Sequence, residues 1–490
     1  MLLAVLLRFP TVDSQSYWAD EFLTVTLLKR GLGEMLGAIP TNEGMPPLYY
    51  LLAWFWTKLF GTAEAAVRSL SAFFGAATVP VAYLAARDLA GSRRAGLVTA
   101  ALVAVNPLLV WYSQEARSYA LLVLLTALSF WFFVRALDGA RPSLLAGWAI
   151  CSALALGTHY FAVFPVGVEA IWLVIAAPGG RRRAVVAASA VTAAGAALIP
   201  LVSFQIRQPG YDFIAASDLW GRLAAVPPQF LFGFTAPGVG ARIIAVLAVA
   251  LALALLALRA TPSERRAAGI AAAIAIAGVM LPLILALAGV DRLLTRYLLA
   301  ALIPSAVALA IPLSARRAGA AGVLGAIALC AAALAAVATE LASPAVRKID
   351  WRGAADALGP PTRSRVVLST GRSRPLLFYL TGSRRLKPRK QVTVEEVDLI
   401  RVTPPPGQGA CWSGTACNAP RSTMLTDGAP PGFTLIKHRR LDQLTVIRLR
   451  QAGSSSIEVS TLIRRLARPA FRHSSRELRG VLAYYQPGRQ

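Results

Sequence analysis

Charge is scarce in this chain, and negative charge is the scarcer sign. Only 15% of its 490 residues are charged, with 24 Asp and Glu against 50 Lys and Arg, while 56% are hydrophobic and the mean hydropathy is +0.58. A soluble domain cannot keep a wet surface at that composition, so the chain belongs among membrane proteins. Cysteine is scarce too, and four residues exclude a disulfide-dense scaffold. Cys151 and Cys330 fall inside apolar runs as small core residues. Only Cys411 and Cys417 lie where they can pair, provided that stretch is on an oxidising side. Two cysteines alone do not make a metal centre. A cleavable leader is also lacking, because the first apolar run meets Arg8 with no small-residue cleavage site near it. That first run is short, as a start set too far downstream or a trimmed chain would leave it.

What is present is a series of apolar runs. Those near 63–86, 95–112, 118–137, 143–158, 160–177, 184–203, 240–258, 267–289, 296–313 and 318–341, with a stub at 1–8, predict about eleven membrane-spanning helices. Only helices satisfy their own backbone in lipid, so the membrane part is expected to be all-α. The net charge of +26 has its first explanation here. Arg87/Arg93/Arg94, Arg135/Arg141, Arg181–Arg183, Arg259/Arg265/Arg266 and Arg316/Arg317 fall at alternate ends of the runs, which marks those ends as cytoplasmic and sets nucleic acid aside as a partner. Segments 9–45, 113–117, 204–239 and 290–295 then face outward, as does everything after about 342. Pro46–Phe60 is apolar, yet counting it as a span would put the arginines outside. It is therefore read as a membrane-embedded or interfacial helix that does not cross.

After Ser343 the composition turns polar. Asp350-Trp351-Arg352 opens a helix, and Ser364–Thr370, Val392–Val402 and Leu444–Leu449 read as strands of a small α/β extracytoplasmic domain. The expected organisation is a membrane domain over 1–342, the α/β domain over 343–450 and a basic tail over 451–490. Thr403–Gly407 is rich in proline, and Arg464, Arg465, Arg468, Arg472, Arg476 and Arg479 make the tail a solvated or lipid-touching surface.

The outward segments hold the polar residues of interest. Asp20 and Glu21 place adjacent carboxylates just beyond the first run, where a catalytic role competes with a solvated loop. Trp111–Tyr119 compresses Gln114, Glu115, Arg117 and two tyrosines between two spans, and a capping and ion-pair cluster is its other reading. Asp291–Tyr297 brings Arg292 and Arg296 to the outer boundary, where arginines also snorkel. Thr158-His159-Tyr160-Phe161 contributes one of three histidines, a type more often structural than ligating. Together these suit a sugar donor on a polyprenyl phosphate. The leaving group is already good, so one carboxylate deprotonating the acceptor and cations holding the phosphate suffice. Hydrolytic glycosidases use two carboxylates because their leaving alkoxide must be protonated.

These residues, in this order, resemble the GT-C superfamily, especially the branch with protein O-mannosyltransferases and lipid A aminoarabinose transferases. The likeness rests on Trp18–Glu21, Pro46–Tyr50 with Gly61 and Arg68, Asn106-Pro107 leading into Ser113–Tyr119, Thr158–Phe161, Arg296-Tyr297 and Asp350–Arg352. The resemblance implies a GT-C type membrane domain with Asp20 as catalytic base and Glu21 beside it. It further implies that Glu115, Arg117, Arg296 and Tyr297 line the donor or acceptor pocket, to which Glu43, Tyr119, His159 and Tyr160 are added. Pro46–Tyr50 would begin a helix lying under the active-site loop. Many relatives carry a histidine before the Pro-Pro pair where this chain has Met45, and the first helix is shorter than theirs. A divalent metal is left open, with Asp20 and Glu43 as candidate ligands too few to hold it alone.

The expected activity is inverting transfer of a sugar from a polyprenyl-phosphate donor to a hydroxyl of a lipid, glycan or protein, at the outer face of a plasma membrane. A transporter or flippase for lipid-linked sugars is the competing class. It calls for polar groups near the bilayer midplane, whereas the notable charges here collect at one face. A non-catalytic glycan binder is a third reading.

Overall fold

The structure is a computed structural model of the chain, described over residues 1–176, 180–208, 212–235, 238–343, 348–370, 373–402, 432–441, 443–466 and 481–488. Cys411, Cys417, Thr403–Gly407 and the tail arginines Arg468, Arg472, Arg476 and Arg479 lie outside these residues. The chain divides into two units. One holds residues 1–13 and 23–342; the other holds residues 14–22 with the described residues from 343 onward.

The first unit is helical: α1 (Leu2–Arg8), α2 (Ala19–Leu28, which enters it at Leu23), α3 (Leu32–Asn42), α4 (Leu48–Phe60), α5 (Glu64–Ala90), α6 (Arg93–Val105), α7 (Pro107–Ser113), α8 (Tyr119–Asp138) and α9 (Pro142–Leu156) come first. They are followed by α10 (Val163–Ala176), α11 (Arg181–Ala196), α12 (Ile199–Ile206), α13 (Asp212–Ala215), α14 (Leu219–Phe232), α15 (Val239–Leu258), α16 (Pro262–Leu287), α17 (Leu302–Leu313) and α18 (Gly319–Ala342). Among the described residues five of these, α5, α8, α15, α16 and α18, are single helices long and apolar enough to cross a membrane, or up to seven if each of the bent pairs α6/α7 and α11/α12 is one span. The expected spans at 143–158, 160–177 and 296–313 correspond to shorter apolar helices. α4 has 13 residues, about 20 Å of helix, which is short of a hydrocarbon core of about 30 Å. Its Leu52, Phe55, Leu59 and Phe60 are exposed to whatever surrounds the protein.

Helix ends follow local chemistry. Thr261 and Glu264 form a capping box that starts α16, and Gly91, at φ 59°, supplies the left-handed residue that ends α5. The run expected as one span at 95–112 is bent by 57° at Asn106-Pro107. Pro107 has no N–H for the carbonyl four residues back, and Asn106 caps the new helix by accepting the Leu109 N–H at 3.0 Å. Arg8 takes up carbonyls released at the bend, donating to Ala104 O at 2.8 Å and Val103 O at 3.2 Å.

Among the described residues, the second unit is built on a six-stranded sheet of order β2-β6-β1-β3-β5-β4, where β1 is Arg365–Thr370, β2 Arg384–Arg385, β3 Gln391–Val402, β4 Phe433–Arg440, β5 Leu444–Glu458 and β6 Val481–Gln486. The β1–β3 pair is parallel and the other pairs are antiparallel. Side chains alternate between faces. Val366, Leu368, Leu399 and Leu449 pack with Leu462 and Leu466 of α20 (Val459–Leu466), whereas Val367, Ile400 and Val446 pack with Trp351 and Ala354 of α19 (Trp351–Leu358). Asp350 caps α19 by accepting the Gly353 N–H at 2.9 Å. Two expected boundaries move. Residues 14–22 join this unit rather than the membrane domain, and the break at 450 falls inside β5. Val481–Gln486, read as tail, pairs with both β1 and β2, so the sheet extends into the segment that its arginines made look like a tail.

Candidate functional site

The turn between α7 and α8 is buried rather than solvated: Ser113, Glu115, Arg117 and Ser118 are all at most 6% exposed. Trp111 Nε1 donates to Glu115 Oε1 at 2.9 Å. Arg117 Nη1 donates to Thr24 Oγ1 and to both Glu43 oxygens, each at 3.0 Å. The Arg117 carbonyl accepts from Ser71 Oγ at 3.4 Å, and Ser71 contacts the Tyr49 hydroxyl at 3.2 Å. One arginine therefore ties together α2, the end of α3 and the start of α8, with α4 and α5 behind it. Beside it, Gln114 Nε2 donates to Thr11 Oγ1 at 2.6 Å and Leu7 O at 3.1 Å, and Arg8 Nε donates to Ser113 Oγ at 3.2 Å.

Aromatic rings line the next part of the site. Tyr119 lies 6.1 Å from His159 between ring centroids, His159 lies 5.1 Å from Tyr297, and Phe161 is 5.3 Å from Tyr297. The Arg296 guanidinium sits 5.3 Å over the Tyr297 ring. His159 Nδ1 accepts the Phe161 N–H at 3.1 Å, which assigns the ring proton to Nε2. That Nε2 finds no hydrogen-bond partner among the described residues. Burial first, then Arg296 and Arg117, push the His159 pKa from 6.5 down to about 3, so the imidazole is neutral at physiological pH. Tyr160, named with His159 from the sequence, instead donates to Gln205 Oε1 at 2.6 Å.

The Asp291–Tyr297 segment is anchored, not loose. Asp291 accepts from both Arg222 Nη1 (2.9 Å) and Nη2, and Arg222 Nη1 also donates to Leu293 O at 2.6 Å. Burial alone would raise the Asp291 carboxyl, but the Arg222 fork, the Leu293 N–H and Arg292 hold it below its ordinary range.

In the second unit, the two carboxylates at the start of α2 part company. Asp20 is half-buried, whereas Glu21 is fully buried, accepts the Trp18 N–H at 3.4 Å and lies 3.8 Å from Lys348 Nζ. For a metal the fit is poor. Among the described residues no three His, Cys, Asp or Glu side chains gather as a site would need, and both oxygens of Glu43 are held by Arg117. No step is assigned to a metal.

Sequence reasoning missed Thr24, Lys348, Arg8 and Glu169. Glu169, in the middle of α10, is a buried carboxylate accepting from Ser129 Oγ at 2.5 Å and Trp148 Nε1 at 2.9 Å, with Ser152 on Ser129. Its signal was in plain view: a lone acid within an apolar run.

Comparison with known proteins agrees with this architecture. Residues 44–206 match the model of the family described as dolichyl-phosphate-mannose-protein mannosyltransferase. An uncharacterised protein of Aquifex aeolicus (strain VF5) is 26% identical over 172 residues, and the match spans about a third (34%) of each protein's length. ArnT from Cupriavidus metallidurans superposes in two states. The form bound to undecaprenyl phosphate gives a TM-score of 0.50 and the apo form 0.52, each at 13% identity over 91% of this chain and 96% of the other. The chain thus has the fold of ArnT, a helical domain followed by a small C-terminal sheet domain, and its residues 44–206 match the mannosyltransferase family model.

Proposed function

We propose that the protein is a glycosyltransferase that moves a sugar from a polyprenyl-phosphate donor to an acceptor hydroxyl, at the outer face of a plasma membrane. The observation that carries this reading is one cluster in which the buried Arg117 and the half-buried Arg296 accompany a neutral, buried His159 with an unspent Nε2–H. Cations and a neutral donor, set in a site of low dielectric, suit a phosphate that gains charge as it leaves. The family pattern over 44–206 and the ArnT fold support the same chemistry.

In this reading the acceptor oxygen attacks the anomeric carbon while its proton passes to Asp20. The bond from that carbon to the phosphate oxygen breaks, and polyprenyl phosphate leaves with the electron pair. One displacement inverts the anomeric centre. Arg296 receives the phosphate charge, His159 Nε2–H donates to a phosphate oxygen, and Tyr297, beneath the guanidinium, holds Arg296 in place. Arg117 is committed to Glu43 and Thr24, so its part is to fix the pocket wall and add positive potential. The test is transfer from radiolabelled polyprenyl-phosphate sugars to membrane extract. Wild type should move label and Asp20→Asn should not, while undecaprenyl phosphate still binds both. Equal transfer by the two proteins removes Asp20 from the mechanism.

Glu169 favours a second reading, transport of a lipid-linked sugar, since it is the kind of mid-span polar group that transport requires. Its contacts with Ser129 and Trp148 also suit a polar link among α8, α9 and α10. Glu169→Gln keeps transfer in the transferase reading. Flipping of labelled lipid by wild type in vesicles, lost in Glu169→Gln and without any sugar transfer, would establish the transporter instead.

A further inference from the structure

Residues 14–22 are part of the C-terminal unit and are fixed there nearly residue by residue. The Lys348 N–H donates to Gln15 Oε1 at 2.8 Å. Ser16 Oγ donates to Ile349 O at 3.0 Å and accepts the Trp351 N–H at 2.9 Å. The Tyr17 N–H donates to the Tyr379 hydroxyl at 2.8 Å, and the Phe22 ring packs in a tilted arrangement 4.7 Å from that of Phe378. At the first turn of α2, Glu21 reaches back to the Trp18 N–H as one half of a capping box. Lys348 closes this turn from above. Its Nζ lies 3.8 Å from Glu21 Oε2 and 5.2 Å from the centre of the Trp18 ring, with the lysine side chain 5% exposed and that of the glutamate 0%.

A buried ion pair adds little net stability over a well-packed apolar pair, because desolvation offsets the attraction. What it does supply is geometry: Glu21 turned inward onto Lys348 helps to fix the face that the first turn of α2 buries, and Asp20 is the neighbouring residue on that turn. We propose that Lys348 is a positioning residue for Asp20, acting through Glu21 and Trp18. This rests on the reading of Asp20 as the base.

The experiment uses full-length protein in lipid nanodiscs. Lys348→Met strands a buried carboxylate and can prevent folding, so the neutral pair Glu21→Gln with Lys348→Met is made beside it, together with Lys348→Arg. The neutral pair should fold, bind undecaprenyl phosphate within about twofold of wild type, and lose kcat on the order of 100-fold, the effect of a misplaced reacting group. Lys348→Arg should restore most of the rate. Without substrate, the amides of residues 19–22 should exchange hydrogen faster in the neutral pair, with exchange in α8 unchanged. Wild-type kcat or wild-type exchange in the folded neutral pair overturns the proposal, the second because Lys348 would then act on substrate directly. Parallel loss of donor binding and kcat also overturns it, in favour of a general structural role. If Asp20→Asn keeps full activity, the base assignment fails instead, whatever the exchange data give.

Discussion

Arg117 Nη1 lies 3.0 Å from each carboxylate oxygen of Glu43, with the two side chains only 7% and 2% exposed. The same nitrogen serves Thr24, so three separate segments converge on one charge. Removing one member of a buried pair leaves the other charged and unsolvated, a change that typically costs about 3–5 kcal/mol. Glu43→Ala is therefore expected to lower the thermal midpoint of the purified protein steeply, and Glu43→Gln, which keeps acceptor capacity, less so. An unchanged midpoint in Glu43→Ala would mean that water reaches Arg117.

Gly75 marks the closest approach behind that turn. A Cβ there would stand 1.9 Å from Ser113 Oγ, 2.8 Å from Ser113 Cβ and 3.2 Å from Arg8 Nε. Ser113 cannot simply swing away, because its hydroxyl bridges Arg8 and the Leu109 carbonyl. Gly75→Ala should destabilise by about 1–3 kcal/mol, the usual range for overpacking. Adding Ser113→Gly should recover part of the loss. Equal melting of Gly75→Ala and wild type would show that α5 and α7 can separate.

The helical character of the apolar runs and the strands of the C-terminal domain were legible because each depends on local periodicity, whereas the expected number of about eleven spans was not, since breaks such as Asn106-Pro107 and short helices do not show in hydropathy. Asp350 announced α19 as an N-cap does. What was not legible was long-range pairing. Nothing near Glu21 points to Lys348, and nothing near Arg8 reveals that Pro107 will release carbonyls for it. The six residues of β6 were hidden by composition, since the arginines before them made the whole stretch read as tail. Asp20 and Glu21 looked equivalent in the sequence, and only burial separates them.

His159 should act on donor binding without adding pH dependence near neutrality. Its Nε2–H is the group at stake, so His159→Phe is expected to weaken undecaprenyl phosphate binding by about 10- to 100-fold, the usual scale for one hydrogen bond to a charged group. Between pH 5 and 8 the imidazole stays neutral, since its pKa is pushed down to about 3. Wild-type affinity in His159→Phe would separate this ring from the phosphate.

Acid should unfold the helical unit in two stages that these groups keep apart. His159 is neutral when folded down to about pH 3, whereas in the unfolded chain it takes a proton below its ordinary 6.5. The unfolded state therefore binds more protons across that window, and stability falls steadily as pH drops through it. Asp291 has a folded pKa below its ordinary 3.8, because Arg222 grips the carboxylate. Its contribution is complete above that value and is lost as pH falls through the lower, folded one. His159→Phe should flatten the decline above pH 4, leaving the steeper loss below it. Asp291→Asn should do the reverse, lowering stability at neutral pH while weakening the pH dependence below 4. Midpoints of thermal unfolding from pH 3 to pH 7 for the two variants decide the assignment, and identical pH profiles would detach both groups from the acid transition.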